Sequence, residues 1–382
     1  MGPMTEANRA PRDGLQTGPA QARSDEASRP RRPRSPFRPR LKWLLVFVPV
    51  AIVLELTHGN DVAIFVSSAL AILPLAGLIG HATEELAARS GPQLGGLLNA
   101  TFGNVTELII AFFLILEGQL SIVKASITGS IIGNVLVVLG LSFLVGGWSR
   151  REQRFNRASA GLHSSSLVIA VVGLLMPALF SITREETFFE AEAISVGVAI
   201  VLIAIYGLGL LFSFKTHRYL FRSSFEHAEP RWSVGRAVGQ LAGATVLVAL
   251  MSEFLVGALE HTVEEVGLSE LFVGLIVVPL VGNAAEHSSA ILLAAKDKMD
   301  VAIEIAIGSS TQIALFVAPM LVFLSLLVGH PMDFIFTGIE IAAVAFSSLI
   351  LGFIALDGRS NWIEGVQLVG AYLIMAISFF FL

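Results

Sequence analysis

The sequence predicts an all-α polytopic membrane protein with about 11 transmembrane helices, and three observations carry that expectation. Of 382 residues, 54% are hydrophobic and only 14% are charged, with a mean hydropathy of +0.75. A water-soluble domain carries roughly a quarter charged residues. From "LKWLLVFVPVAIVLEL" onward, apolar runs alternate with short polar breaks, at the length of roughly twenty residues that about 30 Å of hydrocarbon demands of a helix. Finally, a set of polar landmarks buried in those runs recurs half a chain later, which implies a duplicated unit.

The breaks set the order of elements. Residues 1–40, rich in Pro, Gly and Arg and without apolar periodicity, read as a disordered basic tail that touches anionic headgroups. A leading helix at 41–57 follows, then spans at 61–88, 93–117, 120–146, 157–181 and 190–213. A linker at 214–235 precedes spans at 236–261, 270–295, 299–328, 333–356 and 361–381. Arg and Lys fix the direction. Counted from a cytoplasmic tail, Arg89, "SRREQRFNR" (149–157), "KTHRYLFRSS" (215–224), Arg231, "KDK" (296–298) and Arg359 all lie on the cytoplasmic side. The acidic loops "TREETFFEAE" (183–192) and "EHTVEEVGLSE" (260–270) lie opposite. The N-terminus is therefore expected inside and the C-terminus outside. The chain has no cysteine, which excludes disulfides, thiolate metal sites and cysteine nucleophiles.

The landmarks are specific. "GNVTEL" at 103–108 matches "GNAAEH" at 282–287, and "GSIIGN" at 129–134 matches "GSSTQI" at 308–313; 282 − 103 and 308 − 129 both equal 179. "HATEE" at 81–85 matches "HTVEE" at 261–265, displaced by 180. Each unit, 61–213 and 236–382, contains five spans. An odd number starts the second copy from the opposite face, so the repeats are inverted, with a site expected at the midplane where they meet.

The chemistry of that site follows from residue type. Asn104 and Glu107 are three apart, as are Asn283 and Glu286, which puts amide and carboxylate on one helical face. Gly103 and Gly282 are expected to let each helix break there and free carbonyls for a cation. Oxygen ligands with two carboxylates suit a hard divalent cation, Ca²⁺ before Mg²⁺. A charged carboxylate at the bilayer centre costs at least ~2.5 kcal/mol, so the pair requires protons or a cation of matching charge. An empty, doubly ionised site resists the change of access from one side to the other. Exchange of protons for cation is the expected outcome.

Around the pair, Gly129, Ser130, Asn134, Gly308, Ser309 and Gln312 are candidates for close packing and neutral oxygens, although small and hydroxylated residues are also routine helix contacts in membranes. Glu84, Glu85, Glu264, Glu265, His81, His261, His287 and Glu253 are candidates for an access or proton path, against the plainer reading of helix ends and structural hydrogen bonds. Glu340 has the same ambiguity.

At these residues the sequence resembles the cation/proton exchanger (CAX) family of Ca²⁺/H⁺ antiporters, within the Ca²⁺/cation antiporter superfamily, from about residue 61 to the C-terminus. "GNVTELIIAFFLILEGQLSIVKASITGSIIGNVLVVLG" and "GNAAEHSSAILLAAKDKMDVAIEIAIGSSTQIALFVAP" look like its two signature repeats. The resemblance implies one leading helix plus two inverted five-helix units. It also implies that Glu107 and Glu286 are essential, with Ca²⁺ as transported substrate and no cofactor. Sodium/calcium exchangers of that superfamily typically carry proline before the repeat glutamate. Thr106 and Ala285 stand there, favouring protons as counter-ion. The stretch 214–236 lacks the acidic segment of plant and fungal members, which points to a prokaryotic cell membrane. The expected function is Ca²⁺ efflux driven by inward proton flow. The alternatives are Mn²⁺/H⁺, Na⁺/H⁺ or Na⁺/Ca²⁺ exchange, or a cation channel using the same glutamates. An enzyme is not expected, since no nucleophile–base set emerges. Membrane lipid is the expected surround, with a homo-oligomer allowed and no nucleic-acid partner called for.

Overall fold

A computed structural model of the protein describes residues 41–183, 188–217 and 230–381. The expected tail at 1–40, most of the expected linker and part of the acidic loop at 183–192 lie outside them. The described chain is almost wholly helical. After a short 3₁₀ turn at Lys42–Val46 come α1 (Phe47–Leu56), α2 (Asp61–Phe102), α3 (Val105–Leu116), α4 (Leu120–Gly147), α5 (Arg157–Thr183) and α6 (Phe188–Leu211). Then follow α7 (Val234–Gly257), α8 (Leu259–Val266), α9 (Glu270–Gly282), α10 (Ala284–Ala295), α11 (Met299–Val328), α12 (Gly338–Ile354) and α13 (Trp362–Phe380). The only sheet among the described residues pairs β1 (Gln153–Arg154) with β2 (Arg359–Ser360), antiparallel, tying two loops together.

Among the described residues, seven helical runs are long and apolar enough to cross a membrane, or eight if the bent pair α8 and α9 is one span. α4 is the innermost: 83% of its apolar window is buried, against 17% for α6 and α13. An apolar helix with that much of its circumference covered belongs at the centre of a bundle, and the poorly covered ones face lipid. α2 packs most extensively on α7, and α9 lies along α4.

Three details depart from the sequence expectation. Helical backbone continues from Asp61 through the expected break at 89–92 to Phe102. The run is not straight, because a Cβ added at Gly95 would stand 2.5 Å from the carbonyl oxygen of Ala87, whereas eight residues of straight helix span about 12 Å. The chain therefore turns between Ala87 and Gly95. Second, the expected span 236–261 ends at Gly257. "HTVEE" sits on the separate amphipathic helix α8, which ends at left-handed Gly267 and bends 117° into α9. Third, the expected span 333–356 is helical only over Gly338–Ile354.

Of the four wide helical turns among the described residues, two follow the repeat and two, at Phe212–Thr216 and Val273–Val277, do not. π-type turns at Gly133–Val138 in α4 and Ile313–Val317 in α11 begin at the ends of "GSIIGN" and "GSSTQI". Such turns insert one residue into the ladder and re-aim the side chains around them, often at functional sites.

Candidate functional site

Both "GN" motifs interrupt their helices. α2 stops at Phe102 and α3 starts at Val105; α9 stops at Gly282 and α10 starts at Ala284. The residue that leaves the helical region is the asparagine in each case, Asn104 at φ −102°, ψ 20° and Asn283 at φ −90°, ψ 4°, while Gly103 stays helical at φ −57°. Asparagine tolerates that region because its short amide competes for backbone partners. This corrects the expectation that the glycines make the break.

The glycines are used for packing instead. A Cβ added at Gly282 would lie 3.1 Å from Cγ and 3.6 Å from Oε1 of Glu107. One added at Gly103 would lie 3.4 Å from Oε1 of Glu286. Each glutamate thus lies on the glycine of the opposite motif, with the two side chains crossed at the centre.

The amides and hydroxyls are crossed in the same way. Ser309 Oγ donates to Asn104 Oδ1 at 3.0 Å, and Asn283 Nδ2 donates to Ser130 Oγ at 3.1 Å. Asn104 Nδ2 also donates to Gln312 Oε1 at 2.6 Å, and Asn283 Nδ2 to the Pro279 carbonyl at 3.1 Å. Asn134 joins the two sets, its Nδ2 donating to Asn283 Oδ1 at 3.4 Å and to Ser309 Oγ at 3.2 Å. Its Oδ1 accepts from His287 Nε2 at 3.0 Å, which places the ring proton on that nitrogen. Asn104, Asn134 and Asn283 are each 1% exposed or less; buried amides persist only when partnered in this way.

The carboxylates are the exception. Both oxygens of Glu107 and Oε2 of Glu286 are buried without a hydrogen-bond partner. Buried oxygens of this kind are costly in any charge state that nothing compensates. A cavity of about 20 Å³, room for a single water, adjoins Glu107 and is lined by Ser126, Ser130, Ile110, Pro279 and Val317 among others. The site thus offers two carboxylates, with amide and hydroxyl oxygens around them. No group of three or more His, Asp or Glu positioned for a metal occurs among the described residues.

The structure brings together Glu107, Glu286, Asn104, Asn283, Ser130, Asn134, Ser309, Gln312 and His287. Gly129 packs on α9, with its α-carbon against the backbone of Leu275, whereas Gly308 faces open space. The other candidates lie elsewhere. Glu85 is buried and accepts the backbone N–H groups of Arg231 at 2.7 Å and Trp232 at 2.9 Å. His81 meets the Trp232 ring edge-on at 4.5 Å, Arg236 lies over that ring at 4.7 Å, and Arg89 donates to the Trp232 carbonyl. "HATEE" therefore anchors the entry to α7, and Glu84 beside it is exposed. Glu265 accepts from Asn60, the cap of α2, at 3.4 Å. His261, Glu264 and Glu253 are exposed. Glu340 closes a capping box with Thr337 at the start of α12 and accepts from Thr128 at 3.3 Å.

Sequence reasoning passed over Ser126 and Glu304. Ser126 lies one turn before Ser130 on the face that lines the cavity, a spacing visible in "KASITGS". Glu304 is held between α5 and α11 by Ser159 Oγ at 2.7 Å and His163 Nε2 at 3.1 Å. Neither partner neighbours it in sequence.

The model of the sodium/calcium exchanger protein family matches this chain twice, at residues 60–215 and 236–381. A Ca²⁺/H⁺ antiporter of Aphanothece halophytica is 45% identical over 358 residues, covering 88% of this chain and 95% of that protein. The Ca²⁺/H⁺ antiporter ChaA of Bacillus subtilis is 44% identical over 351 residues, covering 90% and 99%. The solved structure of native YfkE superimposes with a TM-score of 0.80 at 41% identity, covering 90% of this chain and 99% of that one. The crystal structure of the H⁺/Ca²⁺ exchanger CAX, at 14% identity and a TM-score of 0.69, shares the fold. The chain is an integral membrane protein of the sodium/calcium exchanger family and, within it, belongs with the Ca²⁺/H⁺ antiporters.

Proposed function

We propose that the protein is a secondary active transporter that exchanges cytoplasmic Ca²⁺ for protons by alternating access, with Glu107 and Glu286 binding Ca²⁺ or H⁺ in competition. The observation that carries this reading is the crossed pair of glutamates with three buried, unpartnered oxygens. Among the described residues no lysine or arginine pairs with them, and every neutral neighbour named above already has a partner. Two protons or one divalent cation would satisfy the same oxygens, and an ionised empty pair would not. The names of the relatives support the choice of ions, and a cavity of single-water size supports an exchanger over an open pore.

The architecture belongs to the proposal. One leading helix, residues 41–57, precedes two inverted five-helix repeats, 61–213 and 236–382, joined by a cytoplasmic linker at 214–235. That makes eleven spans in a prokaryotic cell membrane, with the basic tail inside and the C-terminus outside. The twice-matched family model, the paired helix interruptions and the recurring π-type turns support it.

The test is ⁴⁵Ca uptake into proteoliposomes of the purified full chain, with and without an imposed pH difference, with Mn²⁺ and Na⁺ as competitors. Uptake should require the pH difference and should vanish in Glu107→Gln and in Glu286→Gln. Full transport by either variant would remove the carboxylates from the mechanism. Uptake indifferent to pH but driven by Na⁺ would replace the counter-ion.

A further inference from the structure

A second cavity, unrelated to the glutamate pair, opens between the start of α5 and the end of α12. It measures about 320 Å³ and is lined by Arg157, Gly161, Ser164, Ser165, Gly352 and Ala355 among others. Positions 157, 161, 164 and 165 recur at the spacing of one helical face, so a single stripe of α5 forms one wall. A Cβ added at Gly161 would meet nothing within 4 Å, and one added at Gly352 would lie 3.5 Å from Ser164 Oγ. The missing side chain at Gly161 leaves the cleft open.

Charge singles the cleft out. Arg150 pairs with Asp297 and Arg359 with Glu152. Among the described residues, Arg151, Arg154 and Arg157 of the same loop have no acidic partner within 4 Å. Below this rim the flanking side chains are apolar and exposed, including Val168 at 44%, Val172 at 51% and Phe353 at 73%. These are lipid-facing surfaces in a membrane-embedded chain. The eight residue steps from Arg157 to Ser165 span about 12 Å of helix, the depth from a cation at the rim to hydroxyls beneath it. An acyl chain alone would find a cation and two serines poor lining.

We propose that this cleft holds an anionic phospholipid, with the phosphate at Arg157, the glycerol ester oxygens beside Ser164 and Ser165, and the acyl chains along α5 and α12. Basic pockets between membrane helices take anionic headgroups because the phosphate gains a cation without leaving the interface.

Native mass spectrometry of the detergent-purified full chain tests this, with phosphatidylglycerol, phosphatidylcholine or inorganic phosphate added. Wild type should retain phosphatidylglycerol about fivefold better than phosphatidylcholine, the increment expected of one arginine near the surface. Both Arg157→Gln and Gly161→Leu should abolish that preference, the first by charge and the second by filling the cleft. Equal retention of the two lipids by wild type overturns the proposal, and so does loss of the preference in only one variant. Displacement of phosphatidylglycerol by millimolar phosphate makes the ligand a free anion and overturns the lipid assignment. The wild-type comparison and the phosphate competition decide the matter even if a variant fails to fold.

Discussion

Gly129 and Gly308 occupy equivalent places in the two "GS" segments, yet the structure assigns them opposite sensitivities to one added methyl. At Gly129 the new carbon would stand 2.7 Å from both C and Cα of Leu275, with the carbonyl oxygen nearer still. Carbon contacts close at about 3.5 Å, so α4 and α9 must separate by about 0.8 Å. Backbone cannot swing aside as a side chain can. The separation would stretch the 3.1 Å bond from Asn283 to Ser130 beyond hydrogen-bonding reach. Overpacking costs about 1–3 kcal/mol and the lost bond about 0.6. Replacing a helical glycine returns about 0.5–1. Gly129→Ala should therefore destabilise by about 2 kcal/mol, roughly thirtyfold in the folding equilibrium. At Gly308 nothing lies within 4 Å, and Gly308→Ala should be neutral or stabilising by about 0.5–1 kcal/mol. Denaturant unfolding in detergent, followed by the fluorescence of the four tryptophans, measures both, and ⁴⁵Ca flux should fall in the first variant alone. Equal midpoints for wild type and Gly129→Ala, or equal damage in the two variants, would refute the reasoning.

Three further outcomes are expected. Asn134→Ala removes three hydrogen bonds from the hub between the halves and should cost about 2 kcal/mol in the same unfolding assay. Glu340→Ala loses the capping box of α12 and should cost about 1 kcal/mol while proteoliposomes still exchange Ca²⁺; abolished flux at normal expression would instead give Glu340 an ion role. Glu85→Ala should speed amide hydrogen exchange at Arg231 and Trp232, with Glu85→Gln intermediate because both N–H groups share one oxygen, which the amide keeps without the charge; unchanged exchange in both would dissolve the anchor.

The glutamate pair was legible in the sequence because polar residues in an apolar run have few cheap explanations, and symmetric recurrence leaves fewer still. The cross-partners were not. "GNVTE" does not reveal that Glu107 will lie on Gly282 rather than Gly103, since that depends on how two distant helix interruptions face each other. "HATEE" left two readings open for the same reason, as the backbone of Trp232 that satisfies Glu85 is remote in the chain. The Thr337–Glu340 box, by contrast, was readable from "TGIE", a hydroxyl and a glutamate three apart before an apolar run. The polar break at 89–92 was legible as the end of an apolar run, and the span does end at Ser90.

The crossed packing makes the two halves mutually obligate. Neither carries a complete pocket, and any drift at Gly103 or Gly282 is felt first by the acid contributed by the other copy. A duplicated gene normally frees one copy to diverge. Here duplication has done the reverse, binding each copy's tolerance for change to its twin.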